Sequence, residues 1–109
     1  MRQYEIVWAD MPAPIGRRPV LLLSRSAATS YLNKLIVAEV TSTIRNIPQE
    51  VQVGETEGLS HPSVVNFDNV HVVAKNLLGE RIGGLDASRV REVKRALGYA
   101  LNWSELKVL

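Results

Sequence analysis

Cysteine is absent from the sequence, aromatic residues are few, and no apolar run is long. Without cysteine, neither a disulfide framework nor a thiolate metal site can form, which fits a reducing compartment. The apolar runs span only a few residues, whereas a membrane helix needs about 20. Charged residues interrupt the first 25 positions, so the pattern of a secretory signal is missing. We therefore expect a soluble protein of the cytoplasm that makes no contact with a membrane.

The remaining composition is that of an ordinary globular domain. Of the 109 residues, 46% are apolar and 22% are charged, which suffices for one hydrophobic core and excludes disordered and fibrous classes. We expect a single domain over residues 1–109, because no linker or repeat divides the chain. Thirteen basic and 11 acidic residues leave a net charge of +2. So small a bias permits binding to a polyanion but does not by itself indicate it.

Strand patterns fill most of the chain before residue 86. Apolar and polar residues alternate in Tyr4–Trp8, whereas residues 19–23 and 35–40 are continuous apolar runs typical of strands buried on both faces. Pro48 indicates that the strand after it lies at a sheet edge. Strands are predicted over residues 4–8, 19–23, 35–40, 50–53, 63–67, 70–73 and 77–85, with a loop over 10–17, a helical turn at 26–31, an exposed loop over 54–62 and a bulge near 68–69.

The last predicted element is an amphipathic helix over residues 87–102. Val90, Val93 and Leu97 recur at helical spacing, with charged residues mostly on the opposite side. Asp86 precedes them in the position of a helix cap. Several short strands followed by one helix predict a mainly β domain of the α+β class, a small SH3-like β-barrel closed off by a C-terminal α-helix.

The segment Ile15–Ser24, which reads IGRRPVLLLS, resembles the MazF/PemK family of toxin endoribonucleases. Members of that family carry Gly-x-Arg-Pro, followed by Val or Ala, at the start of their second strand. Residues 5–10 are similar to the family's first strand, residues 40–41 to its second active-site position, and residues 68–71 to a segment that usually reads acid-Gln-x-Arg. These matches follow the family's order and span nearly the whole chain.

Two departures from the family pattern concern RNA recognition. The loop between the first two strands lacks the Ser-Glu-Gln segment that many relatives carry. Asn69 and His71 stand where the family usually has glutamine and arginine. The first departure affects how the RNA is gripped and which target sequence is preferred, and the second affects which side chains carry out the chemistry.

The resemblance implies the toxin of a type II toxin–antitoxin system, with a PemK-type barrel and a homodimeric assembly. It implies metal-independent, cofactor-free cleavage of single-stranded RNA, which inhibits translation and growth. In this reaction the 2′-hydroxyl of the RNA attacks the adjacent phosphate and leaves cyclic phosphate and 5′-hydroxyl ends. The resemblance also implies a MazE-like antitoxin, whose flexible acidic segment would compete with RNA for one positive groove.

Arg18 is the first predicted catalytic residue, as the group that stabilises the charge of the phosphorane. A guanidinium stays ionised and offers phosphate oxygens a planar fork of donors. Pro19 restricts the backbone of Arg18 to the extended region and so limits where its side chain starts. The alternative is a surface arginine that pairs with Asp10 or another acid.

Thr41 and His71 are the other two predicted catalytic residues. A hydroxyl at the end of a buried strand can donate to a phosphate oxygen, although the alignment also allows Ser42 or Thr43 in place of Thr41. Histidine ordinarily titrates near neutrality and is suited to proton transfer. The alternative for His71 is a hydrogen-bonded residue of the partial core.

The predicted RNA-binding residues are basic or polar and would contact the RNA backbone without reading its sequence. They are Arg17, Ser42, Arg45, Asn66, Asn69 and Lys75. Single-stranded RNA is usually held by stacking as well. We expect Trp8 and Phe67 in the core, which leaves Tyr31 as the exposed platform, and we expect His61 to be simply exposed.

Two other functions remain open from the residues alone. A toxin of the same fold could act by protein binding, as gyrase-poisoning relatives do, without cutting RNA. A barrel-type interaction module without catalysis is the other alternative. Arg18, Pro19 and Thr41 favour the ribonuclease, because the other two functions do not require an arginine and a hydroxyl at strand ends.

Overall fold

The computed structural model describes all 109 residues, which form one antiparallel sheet followed by helices. The strands are β1 (Glu5–Asp10), β2 (Arg17–Leu22), β3 (Lys34–Thr41), β4 (Glu50–Val53), β5 (Ser63–Ala74) and β6 (Leu78–Gly84), and the helices are α1 (Val90–Leu101) and α2 (Ser104–Lys107). The strand order is β4-β5-β3-β2-β1-β6, so β4 lies at an edge, as Pro48 indicated. The predicted mainly β domain with a C-terminal helix is confirmed.

The sheet does not close into the predicted barrel. Its edge strands β4 and β6 pair only with β5 and β1, respectively. The turn Glu55–Glu57 follows β4 and packs directly against β6, since a Cβ atom added to Gly83 would lie 1.9 Å from the carbonyl oxygen of Glu57. The turn lies beside β6, and β4 and β6 form no hydrogen-bonded pair. The prediction of a closed barrel is therefore wrong.

The same turn corrects the expectation that residues 54–62 are simply exposed. Glu57 is buried, accepts a hydrogen bond from the N–H of Gly54 at 2.7 Å, and lies 3.3 Å from the guanidinium of Arg89. These partners compensate a carboxylate that burial would otherwise destabilise. Gly58 ends the turn with a φ of 94°, a left-handed conformation that favours glycine.

Each face of the sheet carries its own hydrophobic cluster. Neighbouring residues of a strand face opposite sides, so the continuous apolar runs of β2 and β3 contribute to both clusters. On one face, strand residues such as Leu21 and Phe67 pack in a cluster with Val93 and Ala96 of α1. On the other face, Val20 and Val37 belong to a second, smaller cluster. Burial on both faces explains why these two strands are apolar throughout.

β5 carries the bulge that was predicted near residues 68–69. Ala38 of β3 pairs with Val70, but the next residue, Glu39, pairs with Asn66. Residues 67–69 therefore have no partner in β3, and the register of β5 shifts at this point. The shift determines which β5 side chains come beside the end of β3.

A capped turn leads into the predicted helix. Asp86 accepts the N–H of Ser88 at 3.0 Å, and a short 3-10 turn over Ala87–Arg89 continues into α1. Asn102 ends α1 in a left-handed conformation. The expected helix is confirmed, but the α-helix begins at Val90, three residues later than predicted, and Asp86 caps the 3-10 turn that precedes it. None of the helices has the length and apolar character needed to cross a membrane.

Candidate active site

The pairing of β2 with β3 ends before either strand does. Val20 pairs with Glu39, yet β2 begins at Arg17 and β3 continues to Thr41. Pro19 has no N–H, so it cannot donate to a neighbouring strand. The unpaired strand ends border a cleft of about 530 Å³. The cleft is lined by Trp8, Arg17, Arg18, Pro19, Val40, Thr41, Ser42, Gly58, Leu59, Ser60, His61, Ser63, Arg81 and Ile82.

The charged side chains that line this cleft are all basic, although two of them also contact a carboxylate outside it, Arg18 that of Glu39 and Arg81 that of Glu5. Arg17, Arg18 and Arg81 line it, and neither an aspartate nor a glutamate does, although the chain as a whole has 11 acidic residues. The small net charge of the chain is thus unevenly distributed. A concave surface that carries charge of one sign attracts a polyanion and raises its local concentration.

Arg18, Glu39 and His71 form a hydrogen-bonded chain across three strands. One carboxylate oxygen of Glu39 accepts a hydrogen bond from Nη1 of Arg18 at 2.8 Å, and the other lies 2.5 Å from Nε2 of His71. Glu39 is only 5% exposed, whereas the side chains of Arg18 and His71 are 33% and 31% exposed. The buried carboxylate is therefore paired on both oxygens, as a buried charge requires.

The sheet register brings these three side chains together. Glu39 pairs with Val20, two residues after Arg18, and His71 pairs with Val37, two residues before Glu39. Residues two apart on a strand share a face, and long side chains reach diagonal neighbours across strands. All three side chains therefore lie on the face of the smaller hydrophobic cluster.

Glu39 is a site residue that the sequence analysis missed. Its signal was a single carboxylate inside the apolar run 35–40, where a charge needs buried partners. The alternative in which Arg18 pairs with an acid is realised, but with Glu39 and not with Asp10. Arg18 nevertheless lines the cleft and keeps further N–H donors beyond the one that Glu39 accepts.

Thr41 and Ser42 line the same cleft at the end of β3. Oγ1 of Thr41 accepts the backbone N–H of Thr43 at 3.2 Å, which orients the hydroxyl and leaves its hydrogen free to donate. Extending the register of β2 and β3 by two residues puts Thr41 opposite Arg18. Opposed residues of adjacent strands share a face, so the arginine and the hydroxyl face the same side of the sheet.

Comparison with known proteins assigns this arrangement to a family. Residues 2–101 match the family described as PemK-like, MazF-like toxin of type II toxin-antitoxin system. The chain belongs to this family. Among its relatives, the probable endoribonuclease MazF5 of Mycobacterium tuberculosis is 40% identical to the toxin over 101 residues, which cover 92% of each chain.

Solved structures give the same assignment. The Mycobacterium tuberculosis toxin MazF-mt6 has a TM-score of 0.85 to this MazF-like toxin at 36% identity, and the match covers 90% of this chain and 96% of that one. A chain of the MazE-MazF complex from Deinococcus radiodurans has a TM-score of 0.75 at 27% identity, with 93% of this chain and 94% of that one covered. The family resemblance read from the sequence is confirmed.

Trp8 contributes an aromatic surface to the cleft of the toxin, from the side of the sheet opposite to Arg18, because it pairs with Pro19, the neighbour of Arg18. The guanidinium carbon of Arg17 lies 4.6 Å from the centroid of the indole ring, a cation–π contact. Trp8 was expected in the core with Phe67; Phe67 is buried, but Trp8 is only partly buried. Tyr31, the expected platform, is 60% exposed but does not line the cleft. The prediction for Trp8 failed because alternation shows which residues share a face of a strand but not whether that face is covered at each position.

His61 is a second cleft residue that the sequence analysis missed. It was expected to be simply exposed, and it is exposed, but it lines the cleft that Arg18 and Thr41 also line. Its Nδ1 lies 3.0 Å from Oγ of Ser60. This contact occupies one ring nitrogen and leaves Nε2 without a protein partner.

Arg81 is held at the cleft by Glu5. Its Nε lies 2.6 Å from a carboxylate oxygen of Glu5. Partial burial of Glu5 acts against its ionisation, but hydrogen bonds from the N–H of Arg2 and from Arg81 outweigh it, so the pKa of Glu5 lies below its ordinary value. Glu5 therefore remains a carboxylate that anchors Arg81 from outside the cleft.

Five of the predicted site residues do not line the cleft. They are His71, Arg45, Asn66, Asn69 and Lys75. Lys75 lies just beyond the far end of β5, where its Nζ contacts the carbonyl oxygen of Thr29. Lys34 and Thr41 mark the two ends of the β3–β5 pairing, which are about 23 Å apart at the rise of a strand. RNA would have to extend over that length to contact Lys75.

The three remaining polar residues of this group surround the bulge and the loop after β3. Asn66 is buried, and its Oδ1 accepts the N–H of Asp68 at 2.9 Å, so its amide oxygen stabilises the bulge. Asn69 is exposed within the bulge. Arg45 is exposed, and its backbone N–H contacts the carboxylate of Glu50. The RNA contacts expected of Asn69 and Arg45 stay predictions.

No group of three or more His, Asp or Glu side chains is arranged as metal ligands would be. The groups that the cleft presents to a bound molecule are arginine, hydroxyl and imidazole side chains. All of these suit an anionic ligand.

Proposed function

We propose that this MazF-like toxin is a metal-independent endoribonuclease that cleaves single-stranded RNA through the 2′-hydroxyl of its substrate. The observation that carries the proposal is that Arg18 and Thr41 meet in one cleft that is lined by three arginines and by no carboxylate. A phosphodiester gains negative charge as it reacts, and this cleft offers positive charge and a hydroxyl donor where that charge would develop.

The reaction is a transesterification within the RNA. The 2′-oxygen attacks the neighbouring phosphorus, the bond from phosphorus to the 5′-oxygen breaks, and a cyclic phosphate and a 5′-hydroxyl result. Arg18 stabilises the phosphorane through charge-assisted hydrogen bonds, and Thr41 donates a neutral one. Because the substrate supplies the nucleophile, the protein needs neither a serine nor a cysteine nucleophile.

Two proton transfers complete the reaction, since the 2′-oxygen must lose a proton and the leaving 5′-oxygen must gain one. His71 is the residue predicted from the sequence for this task. His61 is the better candidate, because it lines the cleft with Arg18 and has an unpartnered Nε2. A positioned histidine contributes about 10²–10⁴-fold to the rate of such a step.

Single-stranded RNA suits the cleft better than a duplex. Splayed bases stack on aromatic rings and on arginine planes, and the pair of Trp8 and Arg17 offers both. Arg17, Arg81 and Ser42 are also available to the RNA backbone. Contacts of this kind depend on salt and read little sequence.

The decisive experiment is incubation of the purified toxin with a long single-stranded RNA in the presence of a chelator. We expect cleavage that leaves cyclic phosphate and 5′-hydroxyl ends, and mapping of the ends on a defined transcript gives the preferred sequence. Intact RNA at micromolar protein concentration would contradict the proposal. It would favour the same-fold alternative, a toxin that acts by binding a protein.

We expect the toxin to have an antitoxin partner and to form a homodimer. A flexible acidic segment of a MazE-like antitoxin would compete with RNA for the arginines of the cleft. The solved MazE-MazF relative from Deinococcus radiodurans supports the first expectation. Sedimentation at low micromolar concentration tests the second, and a clean monomer would contradict it. Action on cellular RNA would take place in the cytoplasm.

A further inference from the structure

Two side chains contact the carboxylate of Glu39, and only one of them lines the cleft. Arg18 lines it, while His71 does not. His71 instead contacts the second oxygen of a carboxylate whose first oxygen is bonded to Arg18. Any effect of the imidazole on a molecule in the cleft must therefore be transmitted through Glu39 and Arg18.

The contact between His71 and Glu39 has a defined direction. An ionised carboxylate only accepts hydrogen bonds, so Nε2 of His71, at 2.5 Å, must carry the hydrogen. A neutral ring in this tautomer has no hydrogen on Nδ1. Donation from His71 occupies one oxygen of Glu39 and restricts rotation of the carboxylate, while the other oxygen remains directed at Arg18.

Arg18 depends on such a contact for its position. Its side chain is long and one third exposed, and an unrestrained arginine loses considerable rotamer entropy when it binds a phosphate. A guanidinium that is already oriented stabilises developing charge without that reorganisation. Glu39, which is buried, provides a fixed anchor for one end of the guanidinium.

We propose that Glu39 is a positioning residue for Arg18, and that His71 acts on the reaction only by orienting Glu39. This inference rests on the proposed function, because it assigns His71 a task in the same RNA cleavage. His71 then moves no proton to or from the RNA. What it supplies is the N–H that holds the carboxylate in place.

The test compares two substitutions of His71. In His71→Gln the side-chain amide can still donate to Glu39 but cannot take part in proton transfer near neutral pH. In His71→Ala the donor is lost. We expect His71→Gln to keep a kcat close to that of the wild type and an unchanged pH profile. For His71→Ala we expect kcat to fall on the order of 10–100-fold, the usual loss on removing an orienting partner, with little change in KM.

Glu39→Gln supplies a second variant and Glu80→Gln its matched control. Glu39→Gln removes the charge that Arg18 requires, and we expect kcat to fall at least as far as in His71→Ala. Glu80 is exposed and forms no ion pair, so the same chemical change there should leave kcat unaltered. In an Arg18→Ala background, His71→Ala should cause little further loss, because effects transmitted through one residue are not additive.

Nitrogen NMR of the ring provides a readout that needs no RNA. The toxin has only two histidines, so the His71→Gln variant assigns the signals. We expect the neutral ring of His71 to carry its hydrogen on Nε2 in the wild type, and to populate both tautomers in Glu39→Gln. If Glu39→Gln does not fold, the inference is tested by the tautomer of His71 in the wild-type spectrum and by the kcat values of the two His71 variants.

Three results would overturn the inference. One is a His71→Gln variant as slow as His71→Ala, or one that has lost a limb of the pH profile, either of which would make His71 a proton-transfer group. Another is a wild-type His71 that carries its hydrogen on Nδ1. The third is a wild-type toxin that leaves RNA intact, which refutes the proposed function and this inference with it. An active wild type with a slow His71→Gln variant refutes the inference alone.

Discussion

The guanidinium of Arg17 lies 4.6 Å from the centre of the Trp8 ring, at the wall of the positively charged cleft. The two residues reach this contact from neighbouring strands, since Asp10 pairs with Arg17 and Trp8 with Pro19. An arginine guanidinium stacks readily on an indole ring. The contact creates a flat surface that combines charge with an aromatic face.

From this contact we predict that Trp8→Ala weakens RNA binding by about 1–3 kcal/mol, the range of one stacked base. Binding is measured by fluorescence anisotropy on an RNA whose 2′-hydroxyls are blocked, so that no cleavage intervenes. Trp103→Ala is the control, because Trp103 is the other tryptophan and lies in the exposed C-terminal segment. Equal losses in both variants would contradict a stacking role for Trp8.

Arg18→Ala should lower kcat by about 10²–10³-fold, as does removal of one charge-stabilising donor in other enzymes. Because the change leaves the buried carboxylate of Glu39 without one of its two partners, the melting temperature should also fall, and cleavage is measured at a temperature at which the variant is folded. Arg91→Ala is the matched control, since Arg91 is exposed on α1 and forms no ion pair. Cleavage by Arg18→Ala at the wild-type rate would show that Arg18 is not catalytic.

Thr41→Val should lower kcat by about 10–100-fold, which corresponds to one lost hydrogen bond to a charged group. Valine keeps the β-branched shape but has no hydroxyl to donate. Thr41→Ser keeps the hydroxyl and should retain most of the activity. Steady-state kinetics on a short RNA measures kcat for both variants. If the serine variant is as slow as the valine variant, Thr41 contributes by packing and not through its hydroxyl.

Acidification should remove the stabilising ion pair between Glu92 of α1 and Arg89 of the turn that precedes α1. The hydrogen bond from Arg89 lowers the pKa of Glu92 against an opposing effect of partial burial. A carboxyl whose folded pKa is depressed contributes stability above its unfolded pKa, and this is lost as the pH falls through the folded pKa. The melting temperature of the wild type should thus exceed that of Glu92→Gln at neutral pH, and the gap should close as the pH falls through the lowered pKa of Glu92. A gap that does not change with pH would exclude the linkage.

Gly83→Ala should destabilise the fold by at least about 1–3 kcal/mol, the usual range for an overpacked site. The added Cβ would meet the carbonyl oxygen of Glu57 at 1.9 Å, where backbone has little room to move. Gly79→Ala in the same strand is the control, because its Cβ would approach no atom closer than 3.7 Å. Urea denaturation of both variants measures the difference, and equal midpoints would contradict the packing of the turn against β6.

Much of the secondary structure could be predicted because its signals are local. The alternation in Tyr4–Trp8, the apolar runs of β2 and β3, and the cap Asp86 depend on residues close in the chain, and each coincides with an observed element. The position of Arg18 at the start of a strand, before Pro19, is local in the same sense. The family resemblance also depends on the order of short segments, which the sequence contains in full.

Partners across the sheet could not be predicted in this way. Glu39 was overlooked because the apolar run around it dominates the local pattern, and its two partners are 21 and 32 residues away. His61 and Trp8 were assigned to an exposed loop and to the core, since nothing near them in the chain reveals that they border one cleft. The closed barrel failed for a similar reason, because pairing between the edge strands β4 and β6 depends on segments that are distant in the chain.

By itself, the sequence determined the family of this toxin, its order of strands along the chain, and the arginine and threonine at two strand ends. Only the tertiary structure decided that the sheet stays open, that Glu39 joins Arg18 to His71, and that charge of one sign gathers in a single cleft. The physical reason is that periodicity and capping act between neighbouring residues, whereas pairing register and the burial of a charge depend on strands that meet only in the folded chain.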